Sequence, residues 1–505
     1  MLTTLAGGAC CAIASAQAAA GNGDQAADAA PVAPVDIPPL VVDEPARPWR
    51  VQSALGLPAW IAIEGDHRTR YEYLEGRFRA GRSGSDQGFF FRTRVKLTVS
   101  AAEGGVGGFG PEAVVEFVDT RQALADEGSA ISSTAVNPAE IVQAFGRLRF
   151  GDDASPFGIE SFVQAGRFTL DLGSGRLIAR HNFRNAFQTY TGVLAGVDGA
   201  RGERLRAFWT LPSLRRPGNL DALLDNSVAL DEEDIDVQLF GVYARLPVLG
   251  EPQAREPGRL IAAAAAEAFA YGLLEDDSTG RPTRNRNLAT LGGRIVTRPT
   301  PGYADAELEA AVQFGSSRLS TSSTDDLNHL AFYTHAEVGY TLATAGPDTD
   351  RGTRLALEFD FATGDGDPDD GDNGRFDQLF GSRRGDFGPT GTFGPFGASN
   401  VIAVGYRVET DPTERLSIDI GQRWYWLADS SDAWPFAGLQ DPTGASGRTL
   451  GTLPEVRVRY ELVPGSVQLE AGAAILFKGD FARNAPAAPD DDTSVFAYAS
   501  TTVRF

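Results

Sequence analysis

The chain has 505 residues and 58 Gly, with 45 Lys and Arg against 67 Asp and Glu, a formal net charge of -22. That acidity argues against nucleic acid as a partner, because gripping phosphate backbones needs clustered cations. The 2 cysteines, Cys10 and Cys11, both fall in the first residues, which leaves the rest of the chain with neither a disulfide framework nor a Cys-based metal site.

In chain order, the first element is a leader. Leu2 to Ala20 is small and apolar, and Ala16-Gln17-Ala18 is a small-x-small cleavage pattern, although the stretch before it has no Lys or Arg. Residues 1–20 are therefore read as a signal peptide. Residues 21–50 follow as a disordered periplasmic linker, rich in Ala and Asp with Pro31, Pro34, Pro38, Pro39 and Pro45, too poor in apolar surface to order itself. Residues 51–505 are read as the folded domain. No run in it approaches the roughly 18 apolar residues of a membrane helix. A membrane protein of this composition has to be a closed barrel, the other structure that satisfies every backbone polar group in lipid.

From Ile61 the pattern has period two, as expected where successive side chains point to opposite faces of a strand. Phe91, Thr93, Val95, Leu97 and Val99 alternate with Arg92, Arg94, Lys96 and Thr98. Leu355, Leu357, Phe359 and Phe361 alternate with Arg354, Glu358 and Asp360, and Val456, Val458, Tyr460 and Leu462 with Glu455, Arg457, Arg459 and Glu461. Strands are expected to start near Ile61, Gly88, Pro111, Ile141, Ser161, Gln188, Glu203, Ile235, Arg259, Asn287, Tyr303, His329, Arg351, Asn400, Glu414, Leu453, Ser466 and Thr493. An even count of about 18 antiparallel strands, with short turns (411–413, 463–465) opposed to long polar loops (363–399, 430–452), predicts an all-β transmembrane barrel of the bacterial outer membrane. The last strand alternates through Val495, Ala497, Ala499, Thr501 and Val503 and ends on Phe505. It resembles the signal read by the barrel assembly machinery. The other expected partners are outer-membrane lipid and lipopolysaccharide, with a monomeric barrel.

Three stretches resemble the alginate export family of outer-membrane barrels. The first is Gly166-Arg167-Phe168 with Gly175-Arg176-Leu177-Ile178-Ala179-Arg180-His181-Asn182-Phe183-Arg184-Asn185. The second is Phe376-Asp377-Gln378-Leu379-Phe380-Gly381 with Gly388-Pro389-Thr390-Gly391 and Asn400, and the third Phe477-Lys478-Gly479-Asp480-Phe481 with Ala485-Pro486. The resemblance implies an 18-stranded monomeric barrel whose cation-lined pore passes an anionic polysaccharide, without specifying alginate.

Pore chemistry follows independently from the inward face. Fixed charge in a narrow water-filled pore acts at short range and sets ion preference, and guanidinium forks suit carboxylates. The candidate anion-binding residues are Arg92, Arg94, Lys96, Arg147, Arg149, Arg167, Arg204, Arg206, Arg457 and Arg459, with Arg68, Arg70 and Arg294 on the same grounds. Arg176, Arg180 and Arg184 join them from the family-like stretch. The bland alternative pairs these cations with Glu64, Asp66, Glu72, Glu116, Glu307, Glu309, Glu337, Glu358, Asp360 and Asp419 across the wall. Loop acids such as 231–234 and 365–372 lie too far from a constriction to decide selectivity, since screening acts over about 10 Å.

Other chemistry finds little support. The 365–372 run misses the EF-hand spacing, with Asp370 where Gly is needed and Phe376 where the closing Glu belongs, and reads as a solvated acidic loop. The 4 histidines, His67, His181, His329 and His335, form no nucleophile motif, so neither enzymatic activity nor a cofactor is expected. Trp424, Tyr425, Trp426 and Trp434 suit sugar stacking or an interfacial girdle, the girdle for those pointing outward. A general diffusion porin and a plugged structural or adhesive barrel stay open as alternatives to an anionic-polysaccharide channel.

Overall fold

A computed structural model describes residues 49–100, 109–151, 159–249, 263–278, 281–343, 352–367 and 369–505. The expected signal peptide, Cys10, Cys11 and nearly all of the linker lie outside them. The long strands are β1 (Ile61–Glu75), β2 (Ser85–Ser100), β3 (Phe109–Ala123), β4 (Asn137–Phe150), β5 (Glu160–Phe168), β6 (Tyr190–Asp198), β7 (Arg204–Pro212), β8 (Val237–Leu249) and β9 (Ala264–Glu275), then β10 (Asn287–Thr297), β11 (Ala304–Ser317), β12 (Leu327–Thr341), β13 (Thr353–Ala362), β15 (Val401–Thr413), β16 (Leu416–Trp426), β17 (Thr449–Val463), β18 (Val467–Lys478) and β19 (Thr493–Arg504). A two-residue piece, β14 (Asp372–Asn373), adds to β12 in parallel. Each long strand pairs antiparallel with its chain neighbour, β13 reaching β15 directly, and β1 pairs with both β2 and β19. The result is a closed 18-stranded antiparallel barrel, as the alternation predicts.

Every expected start lies near an observed one; the largest displacement sets Arg259 against Ala264. The alternation sorts as a lipid face requires. On β13, Leu355, Leu357 and Phe359 are 46%, 68% and 39% exposed, while the intervening Arg354, Glu358 and Asp360 are buried inside. Leu357→Arg would put a charge on that outer face, at a cost of roughly 2–4 kcal/mol at the bilayer midplane. A lowered denaturant midpoint for the barrel in lipid vesicles is the expected reading, and an unchanged midpoint would count against this face meeting lipid.

The seam is closed by the chain end. Phe505 N–H donates to Gly65 O, and Gly65 N–H donates to Phe505 O, both at 3.0 Å. The Phe505 ring covers Gly65 so closely that a Cβ there would sit 2.6 Å from it, so only glycine fits under the terminal aromatic.

Several connections at one end are short (199–203, 414–415, 464–466), and the longest ones lie at the other (169–189, 213–236, 363–400, 427–448). The long ones turn inward. The main buried apolar cluster joins strand residues from the long-loop end, such as Leu74, Tyr190, Leu239, Tyr333, Tyr425 and Phe496, to loop residues Leu177, Ile178, Phe376, Phe393, Phe396 and Trp434. Trp434 stacks between Phe78 and Phe396 in this core, with ring centroids at 5.7 and 5.5 Å, and Tyr425 lies 3.6 Å from Phe396. Trp424, by contrast, is exposed on the outer face beside Tyr406, where a girdle residue belongs.

Candidate functional site: arginines of the inward loops

The 169–189 and 363–400 loops are zipped together by their family-like stretches. Ile178 and Phe380 form a parallel bridge; Phe380 N–H donates to Leu177 O at 3.0 Å, and Ser382 N–H to Gly175 O at 2.8 Å. Gly381 passes so near the Arg176 carbonyl that a Cβ would lie 1.6 Å from its oxygen, so the approach requires glycine. The joined loops are pinned to the wall on several sides. Arg68 and Arg92 donate to the carbonyl of Asn182, Arg68 also to that of Arg184, and Arg70 to that of Phe183. Asp377 holds Arg286 at 3.0 Å and also pairs with Arg284, while its backbone exchanges hydrogen bonds with the Gln313 amide.

Arg176 is the central clasp. Its guanidinium is bidentate to Asp386, at 2.9 Å on each bond, and reaches Glu309 at 2.8 Å and also Glu307 on β11. Asp386 sits on the short helix α1 (Arg384–Phe387) of the other loop. Arg176 beside it holds the Asp386 carboxyl well below its usual range against the opposing effect of burial, which is the largest influence. On the far wall Arg180 takes Glu116 at 2.5 Å and covers the Phe187 ring at 4.0 Å.

Most of the other predicted cations are also ion-paired. Arg92 and Arg94 share Asp66 at 3.4 and 2.5 Å, Arg94 also reaching Glu116; Lys96 meets Glu64 at 3.2 Å. Arg147 and Arg149 share Glu112 at 3.2 and 3.0 Å, and Arg167 bridges Glu140 and Glu233, both at 2.5 Å. Arg204 and Arg206 face Asp198 at 3.8 and 2.6 Å, Arg294 takes Glu307 and Glu267, Arg457 takes Glu470 and Arg459 takes Asp419. The pairs are set by register, since Glu64 lies directly opposite Lys96, and Asp66 opposite Arg94.

Arg184 stands apart. With Arg215 and Arg383 it faces a cavity of about 320 Å³ between the inward loops, and among the described residues none of the three has a carboxylate partner. Arg215 donates to the Gln188 side-chain Oε1 at 2.5 Å, and Arg383 to the backbone carbonyls of Gly394 and Phe396 at 3.1 and 3.2 Å while lying 4.3 Å over the Phe436 ring. The other cations on this cavity, Arg284, Arg286 and Arg375, are taken by Asp377 and Asp432. Burial, then repulsion from Arg383 and Arg215, pushes the Arg184 guanidinium well below its ordinary range, and burial with Arg79 lowers Arg383 to about 10. Burial and the same three arginines lower His181 to about 2, so it stays neutral on the cavity wall.

Arg215 and Arg383 are invisible to a period-two reading because they sit on irregular segments. Arg383 does lie two residues beyond the Phe376–Gly381 stretch, which was a usable signal.

A pH-sensitive dock lies beside Arg215. Asp231, in the 213–236 loop, is buried against the base of β4, accepting from Asn137 Nδ2 at 2.8 Å and from Arg216 N–H at 2.9 Å, while Glu140 accepts from its own N–H at 2.7 Å. Burial, with Glu140 adding to it, raises Asp231 from 3.8 to about 6. A raised acid favours the docked loop while protonated, so docking is tightest in acid and loosens as pH rises from about 4 through about 6, by roughly 3 kcal/mol between the limits. A spin label on Leu230→Cys should gain mobility over that window, and Asp231→Asn should abolish the change. A label equally mobile at pH 4.5 and 8 would refute the dock.

The profile of the alginate export family matches residues 59–496. No curated protein sequence matches the chain. Similar solved structures include OccAB3 of Acinetobacter baumannii, at 10% identity and a TM-score of 0.55 over 89% of this chain and 100% of that one. OccD3 (OpdP) of Pseudomonas aeruginosa gives 12% identity and 0.51 over 88% and 91%, and OccK8 (OprE) of the same organism 10% and 0.52 over 88% and 98%. At such identities the likeness is one of fold alone.

Proposed function

The chain belongs to the alginate export family, and from that membership we propose that this bacterial outer-membrane channel passes acidic saccharides, an anionic polysaccharide of the alginate kind or another anionic solute. The channel and its membrane follow from family and fold. The anionic cargo rests on one observation: among the described residues Arg184, Arg215 and Arg383 line one cavity without an ion pair to any carboxylate, although Asp231 acts on Arg215 at longer range, whereas most of the predicted wall cations are neutralised in place. Uncompensated charge in a confined, low-dielectric space attracts counter-ions strongly. We propose no enzymatic role. The acid–base-like pair His335 and Asp360, at 2.8 Å, has side chains 1% and 2% exposed, which leaves a substrate no approach.

The inward apolar core favours a second reading, a plugged barrel. Planar-bilayer recording under a salt gradient decides between them. An anion-sided reversal potential, with block by a polyuronate, is expected. A cation-sided potential defeats the proposal, and a conductance near zero favours the plug.

A further inference from the structure

Three guanidiniums without an ion pair among the described residues line one cavity, with Asp231 acting on Arg215 only at longer range, and that is more than a single carboxylate can satisfy. A uronate brings one negative charge and would leave two cations repelling each other in a half-buried space. A phosphate monoester brings close to two above its second pKa of about 6, and three acceptor oxygens. Guanidinium forks match such tetrahedral oxyanions bidentately.

The donors needed are free. Among the described residues the Arg184 guanidinium makes no hydrogen bond or ion pair, and although Arg383 spends Nη1 on two loop carbonyls, its Nη2 and Nε have no partner there. Arg215 Nε is buried without a partner. Gln188, whose carbonyl oxygen orients Arg215, and neutral His181 add polar groups that bring no charge of their own. Leu379, Phe380 and Pro435 line another part of the cavity and offer an apolar surface to the C–H face of a sugar ring. The volume of about 320 Å³ lies at the small end of the range for organic ligands, roughly 300–1,000 Å³, and exceeds the need of a bare ion.

We infer that this cavity is a binding site for a sugar phosphate, its dianionic ester held by Arg184, Arg215 and Arg383 and its ring laid against the Leu379–Phe380 and Pro435 wall. The inference rests on the anionic-cargo reading and narrows it, from any acidic saccharide to one with a doubly charged group at this position. Free phosphate shares the charge but not the ring.

Titration calorimetry on the whole barrel in detergent micelles, at pH 7.5 and low salt, tests it with glucose 6-phosphate, inorganic phosphate and glucuronate. Glucose 6-phosphate should bind at least tenfold more tightly than either of the others. Its advantage over glucuronate should shrink at pH 5.5, where the ester becomes mostly monoanionic. Arg184→Gln should weaken it tenfold or more; that guanidinium holds no other part of the protein, so the variant should fold, and Arg184→Lys should recover part of the loss. Equal binding of glucuronate overturns the inference while an anion-sided reversal potential keeps the broader reading. Equal binding of inorganic phosphate overturns the sugar component. No binding by a barrel of normal heat stability overturns the site altogether.

Discussion

Arg176→Ala should lower the stability of the barrel by about 3–5 kcal/mol, the usual cost of removing one partner from a buried ionic cluster. The alanine would strand Asp386 in the interior and leave Glu307 and Glu309 to Arg294, which already serves Glu267. The damage should be local first. Arg176 joins the two inward loops to β11, so its loss should free the 169–189 and 363–400 segments before the wall unzips. Two readouts check this. The temperature at which the barrel loses its compact mobility in detergent electrophoresis should fall, and single-channel conductance should rise or become noisy as the loops leave the lumen. Neutralising the acids left behind removes the penalty, so Arg176→Met with Asp386→Asn and Glu309→Gln should recover much of the loss. An Arg176→Ala barrel with parental stability and conductance would show that the clasp holds nothing.

The barrel itself was legible because lipid and water impose opposite demands on adjacent residues. Leu355, Leu357 and Phe359 against Arg354, Glu358 and Asp360 admit few other folds, and the strand starts follow from such runs. What the inward face does with its charges was less legible. Arg94 and Asp66 lie on different strands and meet only through the register of β1 with β2. The same register sets Arg68 directly opposite Arg92, an unfavourable like-charge pair. The structure relieves it with carbonyls of residues 182 and 184, supplied by a loop 90 residues from Arg92 and 114 to 116 from Arg68 in sequence. Such contacts have no periodic signature. Trp434 misleads for the same reason: its place in the aromatic core depends on Phe78, Phe396 and an inward fold of 427–448 that composition does not announce. Arg184 was visible through the family-like stretch, but its isolation from acids, the property that matters, appears only in three dimensions.

That isolation gives the second large effect. Arg184→Glu with Arg383→Glu should reverse the sign of the channel's selectivity, because it turns a group of three unpaired cations into one cation beside two new acids. The paired wall should respond otherwise. Arg92→Glu with Arg94→Glu puts two carboxylates against Asp66 and leaves Glu116 with Arg180 as its one guanidinium partner among the described residues, so impaired folding or insertion is expected rather than a clean change of selectivity. Salt separates an electrostatic effect from a steric one. At 0.1 M the screening length is about 10 Å, and the charge of the cavity reaches across a narrow lumen; at 1 M it is about 3 Å, and parent and variant should converge. The expected record is therefore an anion-sided reversal potential for the parent at low salt, a cation-sided one for the double variant, and a difference that fades as salt rises. If the variant kept the parental potential at 0.1 M, the three arginines would not face the conducting path, and the source of any anion preference would have to be sought along the strands.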